Sequence, residues 1–225
     1  MLTQRNWRSG ITAVTARVQV FARAPVSGEV KTRLIPRLGA DAAARLQTTL
    51  TRHALTTAID ARVGPVELWC SPDCSHPTFT AFAHHGVVLF DQGSGDLGER
   101  MHRALSHALL VSDVSILIGS DCPSLTPQDL RAAVRALQRG ADFAFTPAED
   151  GGYVLVAART CSPSVLRRVF DDVTWGTSSV MEQTRSRLRE LGQTWKELAT
   201  RWDIDRPEDY ERLLREQPRA FAAEP

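Results

Sequence analysis

The chain has 225 residues, of which 43% are hydrophobic and 24% are charged. This composition is typical of a single globular domain and excludes disordered, collagen-like and coiled-coil proteins. A formal net charge of +1 offers no general attraction to nucleic acid or to an anionic membrane, so we expect small-molecule partners and a monomer or homodimer. No apolar run is long enough for a signal peptide or a membrane span, which predicts a cytoplasmic protein.

The predicted elements alternate between strand and helix. Residues 16–22 alternate and then run apolar, which predicts a buried strand, and a helical pattern begins near Asp41. Further segments follow in turn: strands at 66–70, 86–90, 114–118, 141–145 and 153–157, with helices at 77–84, 97–110 and 127–139. After residue 160 the pattern predicts a helix or turn to Val169, a loop at 171–176, a helix at 178–191, a short strand and a terminal helix from Pro207.

This alternation predicts one α/β domain, a Rossmann-like three-layer sandwich with a mostly parallel central sheet. We assign the domain to residues 17–215, with a flexible N-terminal extension at 1–16 and a C-terminal tail at 216–225. Ligands of such sheets bind beyond the carboxyl ends of the strands. The unusual residues of the chain cluster in four loops at such ends, which are 23–39, 91–98, 119–126 and 146–152.

The loop after the first strand, from Arg23 to Arg37, is rich in basic residues. Lys31 supplies a compact charge and Arg33 a bidentate fork, while Gly28 lets the backbone approach a ligand closely. A loop of this kind is suited to binding phosphate groups, and the alternative is a basic loop that is merely solvated. It is not a P-loop, because the motif G-x-x-x-x-G-K-[ST] is absent. The predicted nucleotide- and phosphate-binding residues are Ala22, Arg23, Pro25, Gly28, Lys31, Arg33 and Arg100.

One acid, Asp121, directly follows a predicted buried strand, where Gly119 and Pro123 turn the chain. Magnesium is commonly held by one or two carboxylates together with substrate phosphates, so a single aspartate facing a phosphate loop suffices as a metal ligand. The alternative is that Asp121 caps the next helix. That alternative is weakened because Thr126 already precedes Pro127 as an N-cap.

Two further acids near the end of the chain, Asp203 and Asp205, alternate along a predicted strand and therefore share one face. We predict Asp205 as a second metal ligand beside Asp121. The alternative is that Asp205 caps the last helix. The sequence therefore leaves open which of the two acids binds metal.

The loop between the last two predicted long strands offers an acceptor site. Asp150 is followed by a glycine pair and an aromatic residue, an arrangement that permits backbone contact and stacking, although a tight hairpin explains the Asp-Gly pair equally well. Trp175 is predicted to be part of the same acceptor site, and the alternative is that it only packs within its loop. The predicted acceptor-binding residues are Asp150, Gly151, Gly152, Tyr153 and Trp175, and the predicted catalytic residues are Lys31, Asp121 and Asp150.

A competing motif, Gly93-Ser-Gly95-Asp-Leu-Gly98, follows a strand and opens a helix, as in an NAD(P)-binding oxidoreductase. Asp96 and Glu99 would then repel the pyrophosphate at the helix N-terminus. The same two acids resemble a capping box, which needs no ligand. The oxidoreductase is therefore kept as a remote alternative.

Taken together, the motifs resemble a family of small bacterial transferases in the nucleotide-diphospho-sugar transferase superfamily. The family is labelled radical-SAM/selenodomain-associated transferase 1 or arsenosugar-biosynthesis-type glycosyltransferase, and was formerly a domain of unknown function. The resemblance covers about residues 17–215 and rests on Phe21-Ala-Arg-Ala-Pro25, Lys31-Thr-Arg33, Gly95-Asp-Leu-Gly-Glu-Arg100, Gly119-Ser-Asp-Cys-Pro123, Glu149-Asp-Gly-Gly-Tyr153, Trp175-Gly-Thr177 and Asp203-Ile-Asp205. It implies a GT-A-like fold, a nucleotide donor, and Mg²⁺ or Mn²⁺ at Asp121.

The resemblance implies a metal-dependent glycosyltransferase that acts from an NDP-sugar onto a small-molecule acceptor. Glycosyltransferases of this fold usually carry D-x-D, whereas here only Asp121 stands between Ser120 and Cys122. The first loop also looks similar to that of molybdopterin and phospholactate nucleotidyltransferases. Nucleotidyl transfer from an NTP to a phosphorylated or sugar-like acceptor, with release of pyrophosphate, is therefore the alternative.

Overall fold

The computed structural model describes residues 14–83, 86–161 and 163–217. Most of the predicted N-terminal extension and C-terminal tail therefore lies outside the described residues. The strands are β1 Ala16–Arg23, β2 Val66–Ser71, β3 Val88–Asp91, β4 Val114–Gly119, β5 Phe143–Pro147, β6 Tyr153–Arg159 and β7 Trp195–Glu197. The helices are α1 Ile35–Leu38, α2 Ala40–Ala61, α3 Pro77–Ala83, α4 Leu97–Leu109, α5 Pro127–Gln138, α6 Pro163–Phe170, α7 Val180–Glu190 and α8 Pro207–Glu216.

The strands form a seven-stranded sheet in the order β3-β2-β1-β4-β6-β5-β7. Only β6 runs against its neighbours within the described residues; all other pairs are parallel. Val18 of β1 lies between Val66 of β2 and Ile116 of β4. The near-continuous apolar runs of β1 and β4 suit a sheet that is covered on both faces. The prediction of a single α/β domain with a mostly parallel sheet is confirmed.

Alternate residues of each strand point to opposite faces of the sheet, which gives two apolar cores. One core packs α2, α3 and α5 against residues such as Val20 and Ile118. The other packs α4, α6 and α7 against residues such as Phe143 and Phe145. The sheet is thus the middle layer of three.

A third apolar cluster fixes the first loop against the C-terminal part of the chain. Leu34, at the end of a 3₁₀ turn that begins at Thr32, is fully buried with Leu50 of α2, Ile204 and Leu213 of α8. These contacts join segments that are distant in sequence. They bring the basic residues of the first loop beside the C-terminal acids.

Most predicted elements are present, with shifted ends. Strands β3 and β5 begin two residues later than the predicted 86–90 and 141–145. Gly86 has a φ of 82° and belongs to a turn, and the backbone N–H of Ala141 bonds to the carbonyl oxygen of Ala136 in α5 at 3.2 Å instead of to a neighbouring strand. The first loop also contains α1, which the sequence pattern did not predict.

Within the described ranges, no helix combines the length and the apolar character that a membrane span requires.

Candidate active site

A cavity of about 1160 Å³ opens at the carboxyl ends of β1, β2, β3 and β4. Its lining comes from the ends of these strands and the loops that follow them, from Gln47 of α2 and the first turn of α4, and from Asp205 in the segment before α8. The cavity lies where the alternation of strands and helices predicts a ligand site. Of the predicted phosphate-binding residues, those that line it are Ala22, Arg23, Lys31, Arg33 and Arg100. Pro25 and Gly28 belong to the same loop but do not line the cavity.

An ion pair joins the predicted phosphate-binding lysine of the cavity to its predicted metal ligand. Nζ of Lys31 lies 3.0 Å from Oδ2 of Asp121 and donates to the carbonyl oxygen of Ile204 at 2.6 Å. Only 6% of the Lys31 side chain is exposed, compared with 49% of the Asp121 side chain. The lysine is therefore held in place, while the aspartate remains open to the cavity.

Two backbone features position this pair. Lys31 adopts a left-handed conformation with a φ of 49°, directly before the 3₁₀ turn. The carbonyl oxygen of Asp121 accepts a hydrogen bond from the backbone N–H of Ile204 at 2.9 Å. The segment around Ile204 thus contacts both partners and fixes the distance between two loops that follow neighbouring strands.

Asp121 does not cap the helix that follows it. Helix α5 begins at Pro127, and the carboxylate of Asp129 accepts from both the backbone N–H and the hydroxyl of Thr126, each at 2.8 Å. The capping alternative for Asp121 is therefore wrong. Its carboxylate is instead approached by the hydroxyl of Ser120, at 3.4 Å.

The two C-terminal acids have different surroundings. Asp205 forms an ion pair with Arg33. Helix α8 is capped by Asp209, whose Oδ2 accepts from the backbone N–H groups of Asp205 at 3.0 Å and Arg206 at 2.7 Å. The capping alternative for Asp205 is therefore wrong, and its predicted role as a metal ligand now stands beside an observed ion pair.

Asp203 is the acid that shares its surroundings with Asp121. Burial, together with the smaller effects of the charges of Asp150 and Asp121, raises the pKa of the Asp203 carboxyl to about 6. Asp203 itself does not line the cavity. The sequence left open which of the two C-terminal acids binds metal, and a metal-binding role of either one stays a prediction.

The residues near Asp121 fit Mg²⁺ or Mn²⁺ in the chemistry of their donor atoms. Carboxylate oxygens are ligands that magnesium prefers, and the ion commonly takes one or two of them plus waters and phosphate oxygens. In the described part of the chain, no three His, Cys, Asp or Glu side chains lie together as a complete ligand set. A nucleotide's phosphates would therefore have to complete the coordination.

The cavity lining is electrically balanced. Besides His76, the ionisable residues on its surface are four cationic and four anionic ones, namely Arg23, Lys31, Arg33, Arg100, Glu29, Asp73, Asp121 and Asp205. Lys31 and Arg33 are each paired with a carboxylate. Among the described residues, Arg23 and Arg100 make no ion pair, so they are the cavity cations with uncompensated charge. Arg37, the last basic residue of the first loop, lies outside the lining and pairs with Glu211 at 2.8 Å.

The predicted acceptor residues form a packed hairpin beside the cavity, and none of them lines it. The backbone N–H of Gly152 donates to Oδ1 of Asp150 at 2.9 Å, and its carbonyl accepts from Ala148 at 3.0 Å, which closes the turn between β5 and β6. Tyr153 packs edge-on against Trp175, with ring centroids 6.4 Å apart. The hairpin and the packed tryptophan are therefore observed, and the acceptor role of these residues stays a prediction.

The glycine-rich segment before α4 is a capping box. The backbone N–H of Glu99 donates to Oδ1 of Asp96 at 2.8 Å, and Oε2 of Glu99 accepts from the backbone N–H of Asp96 at 3.0 Å. Gly93 and Gly95 have positive φ, and a Cβ on Gly98 would crowd the backbone carbonyl of Phe170. The prediction of a capping box is confirmed. The positive φ of Gly93 and Gly95 and the close packing at Gly98 account for these three glycines without a bound dinucleotide.

Sequence reasoning missed part of the lining. The loop after β2, including Pro72 and His76, borders the cavity although it was not among the four predicted loops. It follows the carboxyl end of a strand, so the rule that selected the other loops could have found it. Gln92 also lines the cavity and is 4% exposed; it lies in the predicted loop 91–98, but no motif singled it out within that loop.

Comparison with solved structures assigns this fold to a class. A candidate nucleotide-diphospho-sugar transferase from Desulfovibrio desulfuricans G20 is 26% identical, with a TM-score of 0.77 and 92% of each chain covered. A CMP:2-keto-3-deoxy-manno-octonic acid synthetase complexed with CTP is 13% identical, with a TM-score of 0.58, covering 88% of this chain and 96% of that chain. Glucosyl-3-phosphoglycerate synthase from Mycobacterium tuberculosis, solved with Mn²⁺ and UDP, is 14% identical, with a TM-score of 0.53, covering 91% of this chain and 77% of that chain. The fold is GT-A-like, as the resemblance implied.

The family is shown by a sequence model that matches residues 54–177. It is described as an uncharacterized protein conserved in bacteria, DUF2064. The match covers more than half of the chain, which therefore belongs to this family. It includes Arg100, Asp121 and Asp150, while Lys31 and Asp203 lie outside it. No curated protein matches the chain.

Proposed function

We propose that the protein is a metal-dependent transferase that uses a nucleotide donor, and that it transfers a glycosyl group from an NDP-sugar to a small-molecule acceptor. The observation that carries this proposal is the convergence of Lys31, Arg100 and Asp121 on one cavity at the carboxyl ends of the strands. The likeness to the D. desulfuricans protein supports it.

On the donor side, Lys31 and Arg33 bind phosphates after exchanging their carboxylate partners for them, and Arg23 and Arg100 offer their uncompensated charges. Asp121 holds Mg²⁺ or Mn²⁺, with Asp203 or Asp205 as the second ligand. When bound there, the ion supplies positive charge against the leaving diphosphate. The chain's own contribution is to neutralise the phosphates and to orient the donor.

On the acceptor side, Asp150 accepts a hydrogen bond from the acceptor's hydroxyl group. Its side chain is exposed, and its charge acts on Asp203, which links it electrostatically to the metal end of the cavity. Gly151, Gly152, Tyr153 and Trp175 complete the acceptor site in this proposal, from outside the present cavity lining. The hairpin and the aromatic contact between Tyr153 and Trp175 hold these residues in place.

We also propose that the catalytic domain spans residues 17–215 and belongs to the radical-SAM-associated, arsenosugar-type branch that the motifs resemble. The protein is cytoplasmic, and a monomer or homodimer, in this proposal. These assignments rest on the motifs and on the composition.

Nucleotidyl transfer is the second proposal, and the loop after β4 favours it. Only Asp121 stands where the resemblance leads one to expect a D-x-D pair, and the basic first loop looks similar to that of nucleotidyltransferases. In this reaction an NTP donates a nucleotidyl group to a phosphorylated or sugar-like acceptor, and pyrophosphate leaves. Lys31, Arg33 and Asp121 keep the same tasks.

Product analysis separates the two reactions. The full chain is incubated with magnesium or manganese and a deproteinised cell extract as the source of acceptors, with NTPs and NDP-sugars in separate pools. Release of NDP supports glycosyl transfer, and release of pyrophosphate supports nucleotidyl transfer. Asp121→Asn serves as the control. Absence of both products together with tight binding of NAD(P) would overturn both proposals in favour of the oxidoreductase suggested by Gly93, Gly95 and Gly98.

A further inference from the structure

Gln92 makes contacts that join three parts of the cavity wall. It follows β3, lines the cavity and is 4% exposed. Its side-chain Nε2 donates to the carbonyl oxygen of Trp69 in β2 at 2.9 Å and to that of Ala22 in β1 at 3.3 Å. Its Oε1 accepts from Nη1 of Arg100 at 3.2 Å. Because Nε2 is tied to two strands, Oε1 has one orientation, which faces Arg100.

Arg100 is the cation that this arrangement presents. Its Nε donates to the carbonyl oxygen of Asp96 at 3.2 Å, so both of its hydrogen-bond acceptors, Asp96 and Gln92, are neutral oxygens. Within the described residues, its Nη2 group makes no hydrogen bond and the guanidinium makes no ion pair. By contrast, Lys31 and Arg33 are already paired with carboxylates. The full charge of Arg100 is therefore available to an anion, in a fixed orientation.

We propose that Gln92 is a positioning residue that holds Arg100 in the cavity as the cation for a phosphate of the nucleotide donor. The proposal rests on the nucleotide-dependent function proposed above. A neutral amide is suited to this task, because it orients the guanidinium without cancelling its charge. A carboxylate at the same place would neutralise Arg100 and would also lose the donor group that ties the side chain to Trp69 and Ala22.

The test is a calorimetric titration of the full chain with inorganic pyrophosphate in a fixed excess of magnesium. Pyrophosphate carries the two linked phosphates of a donor and no base, so the unknown nucleobase does not affect the result. Arg100→Ala is expected to weaken binding about tenfold to a hundredfold, as for the loss of a charge-assisted hydrogen bond. Gln92→Met is expected to weaken it about fivefold, and the double variant no more than Arg100→Ala alone.

Two further variants separate positioning from a structural role. Gln92→Glu and Gln92→Met both remove the amide donor to Ala22 and Trp69, but only the glutamate neutralises Arg100. Gln92→Glu is therefore expected to bind pyrophosphate as weakly as Arg100→Ala, about twofold or more below Gln92→Met. Arg103 donates to the backbone carbonyl of Gln92 from outside the cavity lining, so Arg103→Ala is the matched control and should change affinity less than about twofold.

Equal affinities of Gln92→Met and Gln92→Glu, or additive effects of Gln92→Met and Arg100→Ala, would overturn the proposal. So would a loss in Arg103→Ala as large as that in Gln92→Met, because the effect would then belong to the loop as a whole. Failure of the unchanged protein to bind pyrophosphate contradicts an anion site at Arg100. The proposed function is judged separately, by the products released from NTPs or NDP-sugars.

Discussion

The ammonium group of Lys31 lies 3.0 Å from the carboxylate of Asp121. The residue that best suits a donor phosphate and the residue that best suits a metal ion are thus each other's ion-pair partner. A divalent cation at Asp121 competes with Lys31 for the same oxygens, and a phosphate competes with Asp121 for Lys31. Binding of metal and nucleotide is therefore coupled, and linkage requires the coupling to be reciprocal.

The first prediction concerns this coupling. Manganese should raise the affinity for UDP or CTP, used as probes, and each nucleotide should raise the affinity for manganese by the same factor, about tenfold. In Lys31→Met the carboxylate of Asp121 is already free, so manganese alone should bind more tightly and the coupling factor should fall to about two. Electron paramagnetic resonance of free Mn²⁺, with and without nucleotide, measures both quantities.

Arg37→Met is the control for charge removal in the same loop, because Arg37 pairs with Glu211 outside the cavity lining. It should leave the coupling unchanged. An unaltered coupling factor in Lys31→Met would contradict the exchange of partners between Lys31, Asp121 and the two ligands.

The second prediction separates the acids at the metal end. Asp121→Asn should lower kcat/KM at least about a hundredfold, because the metal loses its principal ligand, while the free energy of unfolding falls by only about 1 kcal/mol. Asp205→Asn should lower kcat/KM less than about tenfold if the role of Asp205 is its ion pair with Arg33. Turnover and urea denaturation of both variants are measured side by side. Unchanged turnover of Asp121→Asn would refute the assignment.

The third prediction follows from the raised pKa of Asp203, which is about 6 in the folded chain against an ordinary 3.8. The folded state binds the proton of this carboxyl more tightly than the unfolded state. The favourable contribution of Asp203 to the free energy of unfolding is therefore complete below pH 4 and is lost as the pH rises through 6. Asp203→Asn should therefore become more stable than the unchanged protein at neutral pH, by on the order of 2 kcal/mol, with little difference near pH 4.

Urea denaturation in buffers that contain EDTA, between about pH 4.5 and pH 8, follows the stability difference without bound metal. A difference that does not change with pH would show that the carboxyl of Asp203 titrates normally in the folded protein.

The fourth prediction compares two glycines that both have positive φ. A Cβ on Gly151, whose φ is 93°, would overlap the backbone of Ser178, whereas a Cβ on Gly28, whose φ is 84°, would meet nothing within 4 Å. Gly151→Ala should therefore destabilise the fold by at least about 3 kcal/mol and Gly28→Ala by about 1 kcal/mol. Equal losses of unfolding free energy in the two variants would contradict the tight packing of the hairpin at Gly151.

The fold was predictable because its signals are local. The apolar runs of β1 and β4 and the spacing of Leu46 and Leu50 along α2 are visible within a few residues. The meeting of the first loop with Asp121 also followed from sequence, because both directly follow strands that end at the same edge of the sheet. These predictions needed only periodicity and topology.

The contacts that complete the site could not be predicted in the same way. Arg33 and Asp205 are paired across 172 residues, and their pairing depends on the apolar cluster that holds Leu34 against Ile204. Gln92 contributes through hydrogen bonds to Ala22 and Trp69, which no pattern around residue 92 encodes. Such contacts arise from tertiary packing, and the periodicity of the sequence therefore does not predict them.

A crystal structure of the full chain with Mn²⁺ and inorganic pyrophosphate, with the metal located by its anomalous scattering, tests the proposed site most directly. We expect the manganese on the carboxylate of Asp121 and phosphate oxygens within hydrogen-bonding distance of Lys31 or Arg100. Manganese away from Asp121, with pyrophosphate out of reach of both Lys31 and Arg100, would contradict this site.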